Sequence, residues 1–421
     1  MKIFLAGASG FIGQRLASVL VDAGHDIVCG VRDPARTNFP NSIAIDFARD
    51  HQPGVWAPRL RGVDAVVNLV GILRERGPQT FSAVHDAGPR ALFAACLEAN
   101  VRRVVHLSAL GADRHAQSQY HLSKRRADEF LAGLPLDWTI VQPSLVFGPN
   151  GSSARLFMTL AALPLIPLPG RGEQLVQPIH VDDLCRGLLN MVESGAATHR
   201  CIAAVGPAPV TFREMLAVLR RQLGMSAARF IAVPMPVVRL AAKAAGRFPA
   251  ALFDLETVEM LERGNVAPAA DIEDILKRPP KSLRQFIAPT EARVLALAAK
   301  SAWLLALLRV SIGLLWIATG IVSLGLYPVE QSYSLLARVG LVGPAATVAL
   351  YGAATLDLAL GIAVFTMRRR RWLWRAQIAL IITYSAIIAW ALPELWLHPF
   401  GPLLKNIPLL AAIAALHELE R

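Results

Sequence analysis

Cysteine is scarce. The chain of 421 residues holds 4, Cys29, Cys96, Cys185 and Cys201, and no two are spaced as Cys-x-x-Cys. That spacing is what small metal sites and dithiol redox motifs need, so no metal site is expected and the thiols read as small core residues of a reducing compartment. Acidic residues are also few late in the chain. After residue 300 they are Glu330, Asp357, Glu394, Glu418 and Glu420. A basic surface interleaved with aromatics is missing, so the net charge of +12 is not read as nucleic-acid binding and points instead to basic loops at a membrane. A leader with a basic start and an apolar stretch is absent as well. The chain opens on a strand and glycines, which places its first part in the cytoplasm.

Apolar residues are plentiful. They make up 54% of the chain and the mean hydropathy is +0.43, high for a wholly soluble protein, so a membrane-embedded portion is expected. The length calls for two or more domains.

The opening stretch organises the rest. Ile3 to Ala6 is an apolar run suited to a buried strand, and Phe11 to Ala23 is amphipathic and suited to a helix. Between them the glycines run Gly-x-x-Gly-x-x-Gly. Gly7 permits the tight turn, Gly10 lets backbone approach a pyrophosphate, and Gly13 lets helix lie close on strand. Free N–H groups at the helix start, around Ser9, Phe11 and Ile12, would face the anion.

Strand-like and helix-like patterns alternate up to about residue 145, as a parallel sheet requires. The predicted strands are Lys2–Ala6, Asp26–Val31, Ser42–Asp46, Ala65–Val70, Arg103–Ser108 and Asp137–Gln142. The helices between them are Phe11–Ala23, Thr80–Ala99 and Gln119–Ala132. The fold class is therefore α/β, a doubly wound parallel sheet. Residues 146 to about 230 read as a small substrate lobe with a Pro- and Gly-rich loop (Pro164, Pro167, Pro169, Gly170, Gly172), a strand at Leu175–Ile179, and helices at Asp182–Glu193 and Thr211–Leu223. Residues 231–300 read as the remainder of that lobe and a connector.

From residue 301 the pattern becomes an all-α transmembrane domain of four segments. Val310–Val329, Val339–Met367 (interrupted by Asp357) and Ala376–Pro393 are long enough to span; Asn406–Leu416 is short. Four spans with a cytoplasmic N-terminal domain return the cluster Arg368–Arg371 with Arg375 to the cytoplasm, in keeping with the positive-inside tendency. The expected location is the inner, cytoplasmic membrane, multi-pass. Asp357 in mid-span is costly; it is read either as functional or as a buried partner of Lys405 or Asn406 that fixes helix packing. Pro399, Pro402 and Pro408 argue for a broken or re-entrant fourth segment.

Three residues suit carbonyl chemistry. Ser108 ends the fifth strand, where open sheets bind ligands. Tyr120 and Lys124 stand four apart on a helix and share a face. A lysine there would lower the phenol's pKa and fit it as general acid toward a carbonyl that Ser108 steadies. A Tyr-x-x-x-Lys pair also arises by chance; the upstream glycine turn and the serine favour the functional reading. His180, before Val181, Asp182 and Asp183, reads as a packed histidine at a helix start, with either aspartate as cap, ahead of a metal or catalytic role.

The runs Gly-Ala-Ser-Gly-Phe-Ile-Gly (7–13), Val-Arg-Asp-Pro (31–34), Val-Asn-Leu-Val-Gly-Ile (67–72), Leu-Ser-Ala-Leu-Gly-Ala (107–112), Tyr-His-Leu-Ser-Lys (120–124), Gln-Pro-Ser-Leu-Val-Phe-Gly-Pro (142–149) and Gln-Pro-Ile-His-Val-Asp-Asp-Leu (177–184) resemble an atypical, extended-type short-chain dehydrogenase/reductase. Within it the similarity is to the NmrA-like group and to the nucleotide-binding accessory subunit of respiratory complex I, over about residues 1–290. The resemblance implies a Rossmann fold with Gly7, Gly10 and Gly13 on the pyrophosphate, Arg32 near the ribose, Asp46 at the adenine, Val70 and Gly71 along the cofactor and Pro143 on the nicotinamide side. It makes Tyr120 the acid and Lys124 both ribose ligand and pKa shifter. The segment from Ser108 to Tyr120 is short beside typical extended members. A basic residue after the second strand favours the 2′-phosphate of NADP; the competing reading is NAD, with Arg32 a solvated charge and Asp33 on the hydroxyl.

The last 120 or so residues resemble a DoxX-like membrane domain, through Trp316–Ser323, Gly352–Gly361 and the run His398–Pro408. The expected function is a membrane-anchored NAD(P)H-dependent oxidoreductase acting on an apolar carbonyl or quinone-like small molecule, with the lipid bilayer as its other partner. The alternative is a non-catalytic NADPH-binding sensor or scaffold with a membrane-complex partner. A minor third reading gives the DoxX-like part electron transfer of its own, which no haem or metal ligand set supports.

Overall fold

A computed structural model describes residues 1–195, 197–245, 255–367, 369–397, 399 and 401–420. Arg368, His398 and Phe400, each part of a run singled out above, lie outside the described residues. The chain forms two compact units, Met1–Ala299 and Lys300–Arg421.

The first unit is built on a 7-stranded sheet. Its strands are β1 (Lys2–Ala6), β2 (Asp26–Val31), β3 (Ser42–Ala44), β4 (Ala65–Asn68), β5 (Arg103–Leu107), β6 (Asp137–Pro143) and, last in sequence, Arg200–Ala204. The spatial order is Arg200–Ala204, β6, β5, β4, β1, β2, β3, and every pairing is parallel. β1 is central and buried on both faces, with Ile3, Phe4, Leu5 and Ala6 at 0% exposure. Its side chains alternate. Ile3 and Leu5 join Leu16, Leu20, Leu184 and Leu188 on one face, and Phe4 joins Trp56, Val66 and Phe93 on the other. Two cores from one strand are what a helix-covered parallel sheet requires.

The strand order reverses between β1 and β4, and ligands bind at the carboxyl ends of strands at such a reversal. The expected doubly wound sheet is therefore present. Arg200–Ala204 was not anticipated, because a solvent-edged strand opening Arg-Cys-Ile lacks the continuous apolar run of its neighbours. The predicted strand at Leu175–Ile179 is two separate pieces, Leu175–Val176 and Ile179–His180, which pair with different partners. The predicted helix Thr80–Ala99 is a π-helical stretch, Ser82–Ala87, running into Gly88–Glu98. Gly88 sits against Phe47 there: a Cβ would lie 2.8 Å from its ring and its carbonyl oxygen.

In the second unit three helices are long and apolar enough to cross a membrane: Pro289–Leu326 (which begins in the first unit), Gly343–Thr366 and Arg371–Ala391. Asn406–Leu419 is shorter, as its sequence indicates. All four contribute to one apolar core, with Ile312, Trp316, Val364, Trp374 and Ile413 at its centre. The first two approach closely along Gly313, Gly320 and Gly361; a Cβ at Gly361 would lie 2.8 Å from Ile317 N. Small residues let membrane helices pack backbone to backbone. Ion pairs mark the two ends, Arg309 with Glu420 at one and Arg338 with Glu394 at the other. Neither Lys405 nor Asn406 bonds Asp357 among the described residues. Asn406 donates to Ser385 Oγ at 2.8 Å, and Asp357 Oδ1 has no hydrogen bond.

Candidate active site

The glycine turn sits at the sheet reversal. Gly7 follows β1 with φ +87°, a left-handed conformation that favours glycine. A Cβ on it would meet Val70, just past β4, at 3.2 Å. Gly13 is tighter: a Cβ there would lie 2.1 Å from Gly7 O and 2.8 Å from Ala8 Cα. The helix Phe11–Asp22 starts at Gly10, and no side chain caps it. Its first N–H groups are therefore left for a ligand, and an anion is what a helix start attracts. The turn fits a diphosphate.

These residues line one side of a cleft of about 400 Å³ that also takes in Gly71, Ser108, Tyr120, Lys124 and Pro143. Phe11 and Ile12 line it too, whereas Ser9, Arg32, Asp46 and Val70 are not on its wall. Ser9 O accepts from Gln14 Nε2 at 3.1 Å. Asp46 is held by its own surroundings, Oδ1 accepting from Ala48 N at 3.0 Å and from Gln79 Nε2 at 3.1 Å. Arg32 is exposed just past β2, while Asp33 caps the short turn after it, accepting from Ala35 N at 3.2 Å.

Tyr120 and Lys124 lie on the helix Gln119–Ala132, capped by Ser118. Lys124 is buried under the cleft and donates to Leu107 O at 3.0 Å and Val70 O at 3.4 Å, bridging the ends of β5 and β4. The Tyr120 ring packs among Phe81, His85 and His121. The expected lowering of the phenol's pKa by Lys124 is not what the structure has. Burial, then the charges of Glu256 and Asp128, pushes Tyr120 up to about 12. The phenol therefore stays protonated and able to donate.

Ser108 ends in the cleft, but its hydroxyl is committed, donating to Asp128 Oδ2 at 2.5 Å. Asp128 is one turn beyond Lys124, and burial pushes its carboxyl pKa up. His106 Nε2 faces Asp128 Oδ1 at 3.5 Å without a hydrogen bond. Asn68 Oδ1 accepts from Val70 N at 3.1 Å, so its amide group donates to His106 Nδ1 at 3.2 Å and the ring proton is assigned to Nε2. Sequence reasoning missed this buried set of Asn68, His106 and Asp128. The one available signal was polar residues inside apolar strand runs.

His85 forms a second buried link. Its Nε2 accepts from Ile72 N at 2.9 Å, so Nδ1–H donates to Ser123 Oγ at 3.0 Å, and Ser123 donates to Tyr120 O at 2.7 Å. Burial, then Lys124, pulls the His85 pKa down to about 2. A histidine depressed in the folded state binds its proton more readily when unfolded, so its stabilisation is complete above 6.5 and is lost as pH falls. Each pH unit below that value is expected to withdraw about 1.4 kcal/mol. Melting temperatures should drop between neutral and mildly acidic pH, and His85→Gln should flatten that slope; an unchanged slope would show that folding does not depress the His85 pKa.

A smaller cavity of about 170 Å³ shares Leu73, Leu145, Ser152, Ser153, Met260 and Asn265 with the cleft. Leu156, Phe157, Leu160 and Phe212 give it an apolar wall. Asn265 Oδ1 is buried at the seam and has no hydrogen bond among the described residues. The helix Leu255–Arg263 closes this side. Arg263 donates to both carboxylate oxygens of Asp113 at 2.7 and 2.8 Å, and Glu256 accepts from Tyr120 N at 2.9 Å.

His180 does not join the cleft. Its Nδ1 accepts from Asp182 N at 3.2 Å, so the histidine is itself the helix cap. The two aspartates expected to cap instead hold basic groups, Asp182 with Arg15 and Lys281, and Asp183 with Arg278.

Comparison with known proteins agrees with this geometry. A family described as NAD(P)H-binding matches residues 7–156, and the DoxX-like family matches residues 313–414. The chain joins an NAD(P)H-binding domain to a DoxX-like domain. The first is related to the mouse mitochondrial NADH dehydrogenase [ubiquinone] 1 alpha subcomplex subunit 9, 27% identical over 55% of this chain and 63% of that protein. It is also similar to a ceramide reductase of Caulobacter vibrioides, 25% identical over 44% of this chain and 59% of that protein. The chain thus spans less than two thirds of these curated relatives. A nucleoside-diphosphate-sugar epimerase from Staphylococcus aureus superposes with a TM-score of 0.56, at 16% identity, over 68% of this chain and 99% of its own. That likeness is one of fold. The DoxX-like domain and its three long apolar helices make the protein membrane-associated.

Proposed function

We propose that the protein is a membrane-anchored, NADPH-preferring reductase of an apolar carbonyl or quinone-like small molecule. The observation that carries this reading is the apolar cavity opening off the dinucleotide cleft, with Tyr120 on the cleft wall beside it. A bound nicotinamide would supply the hydride. Tyr120 would donate the proton, Lys124 would hold the ends of β4 and β5 that shape the cleft, and Asn265 would accept a hydrogen bond from a substrate hydroxyl. Residues 231–300 complete the substrate lobe in this reading, since Glu256, Met260 and Asn265 all face the cavity. The reductase name of the Caulobacter relative accords with the direction proposed.

The preference for NADP rests on Arg32. It is exposed at the end of β2 while Asp33 is occupied with its own turn, which leaves a cation for the 2′-phosphate. Arg32→Ala is expected to weaken NADPH binding about tenfold and NADH binding hardly at all, as one charge-assisted contact would. Titration calorimetry with both nucleotides decides it, and equal losses would refute the assignment.

We also propose a cytoplasmic N-terminal unit and an inner-membrane location for the helices; the arginines collected at the Arg309–Glu420 end of the bundle support this orientation. The test of the whole reading is direct. Detergent-purified protein is loaded with NADPH, and its nicotinamide absorbance is followed with a panel of aldehydes and quinones of increasing apolar length. Oxidation should rise with chain length.

One observation favours a second reading, a nucleotide-binding sensor or scaffold without turnover. Ser108 donates its one hydroxyl hydrogen bond to Asp128 and so has none for a substrate oxygen. Tight NADPH binding with no oxidation by any acceptor would select it.

A further inference from the structure

A second concave site lies wholly within the helical unit. Arg309 on the first long helix, Arg369 and Arg370 ahead of the third, and Arg371 and Arg375 on that helix's first turns line one open basin of about 1310 Å³. Five guanidinium groups face one carboxylate, Glu420. Glu420 pairs with Arg309, Arg370 Nε donates to Val364 O at 2.8 Å, and Arg375 Nε donates to His417 Nε2 at 3.1 Å. Among the described residues, Arg369 and Arg371 make no hydrogen bond or ion pair and are exposed.

We infer that this basin binds the phosphate of an anionic glycerophospholipid. Cations crowded into one concavity repel one another, and an anion between them relieves the repulsion. Guanidinium forks match phosphate oxygens in pairs. The surroundings select a lipid over a free ion. Trp372, on the basin wall, is 54% exposed, and the adjoining helix face presents Leu304, Leu307 and Val310 outward. A tryptophan at headgroup depth beside an apolar face is the setting of a membrane boundary. The opposite end of the bundle carries the balanced pair Arg338 and Glu394 instead. This inference stands whether or not the first unit turns over substrate.

The test uses the full chain in bilayer discs of equimolar phosphatidylglycerol and phosphatidylcholine. Lipid retained after release into detergent is counted by native mass spectrometry. Phosphatidylglycerol should be retained over phosphatidylcholine about tenfold. Arg371→Gln with Arg375→Gln should bring the ratio to about one, and Arg371→Lys should hold it in between, since lysine keeps the charge and loses the fork. Arg369→Gln, outside any helix, should lower the ratio without a change in melting temperature, and so separates ligand loss from misfolding. Arg338→Gln should leave it unchanged. Equal retention of the two lipids by the unaltered protein would overturn the inference. So would release of phosphatidylglycerol by excess inorganic phosphate, which would mark a free-anion site.

Discussion

Gly13→Ala is expected to abolish nicotinamide nucleotide binding. The added Cβ would lie 2.1 Å from Gly7 O and within 2.9 Å of the Ala8 backbone, and none of these atoms can swing aside. The helix Phe11–Asp22 must lift away from the turn, which takes its first N–H groups off the diphosphate. Calorimetry should show affinity for NADPH falling by about a hundredfold or more, equivalent to about 3 kcal/mol. Overpacking of this kind also costs about 1–3 kcal/mol of stability, so the melting temperature should drop while far-ultraviolet dichroism stays near that of the parent. Gly10→Ala provides the graded control, since its Cβ would meet Gly7 O at 3.2 Å, a contact a small shift relieves. Its loss should be about tenfold or less. Binding within about threefold of the parent in Gly13→Ala would mean that the diphosphate does not sit on this turn.

Tyr120→Phe should remove reductase turnover and leave the nucleotide bound. The ring's packing against Phe81, His85 and His121 survives the loss of one oxygen. A proton donor placed in the transition state contributes about 10²- to 10⁴-fold, so kcat should fall by that factor at an unchanged Kd for NADPH. The sign of the pH effect follows from the phenol's environment. Its pKa is pushed up to about 12, and the protonated form is the competent one. Its contribution to rate is therefore present throughout the neutral range and is lost only as pH rises toward that value. A phenolate absorbance band assigned to Tyr120 near neutral pH would contradict this, as would a Tyr120→Phe variant that keeps turnover. Asp128→Asn is informative beside it. That substitution keeps a hydrogen bond for Ser108 and removes the buried carboxyl next to Lys124, so a change in pH profile without a change in nucleotide affinity would mark Asp128 as a positioning residue.

The sheet was largely legible because its signals are local. Each strand from β1 to β6 is a short apolar run bounded by turn residues, and Gly7, Gly10 and Gly13 announce the first crossover. Edges moved by one or two residues, as at β3 and β4, where pairing stops before the apolar pattern does. The apolar helices were legible for the same reason, since a bilayer demands length and hydropathy and both are read along the chain. Pairings between distant residues were not. One of the two readings of Asp357 paired it with Lys405 or Asn406, and Asn406 bonds Ser385 instead.

The amino-acid sequence alone determined the glycine turn, the parallel sheet behind it, and the presence of long apolar helices, because backbone geometry and hydropathy act over a few neighbouring residues. Only the tertiary structure decided how the site is wired. Ser108 met Asp128 from another element, Tyr120 acquired Glu256 as a neighbour 136 positions on, and the apolar cavity formed between segments far apart in sequence. Burial and charge at a side chain depend on what packs against it in space. The same tyrosine–lysine spacing that pointed to a lowered phenol pKa therefore ended, once packed, with a raised one.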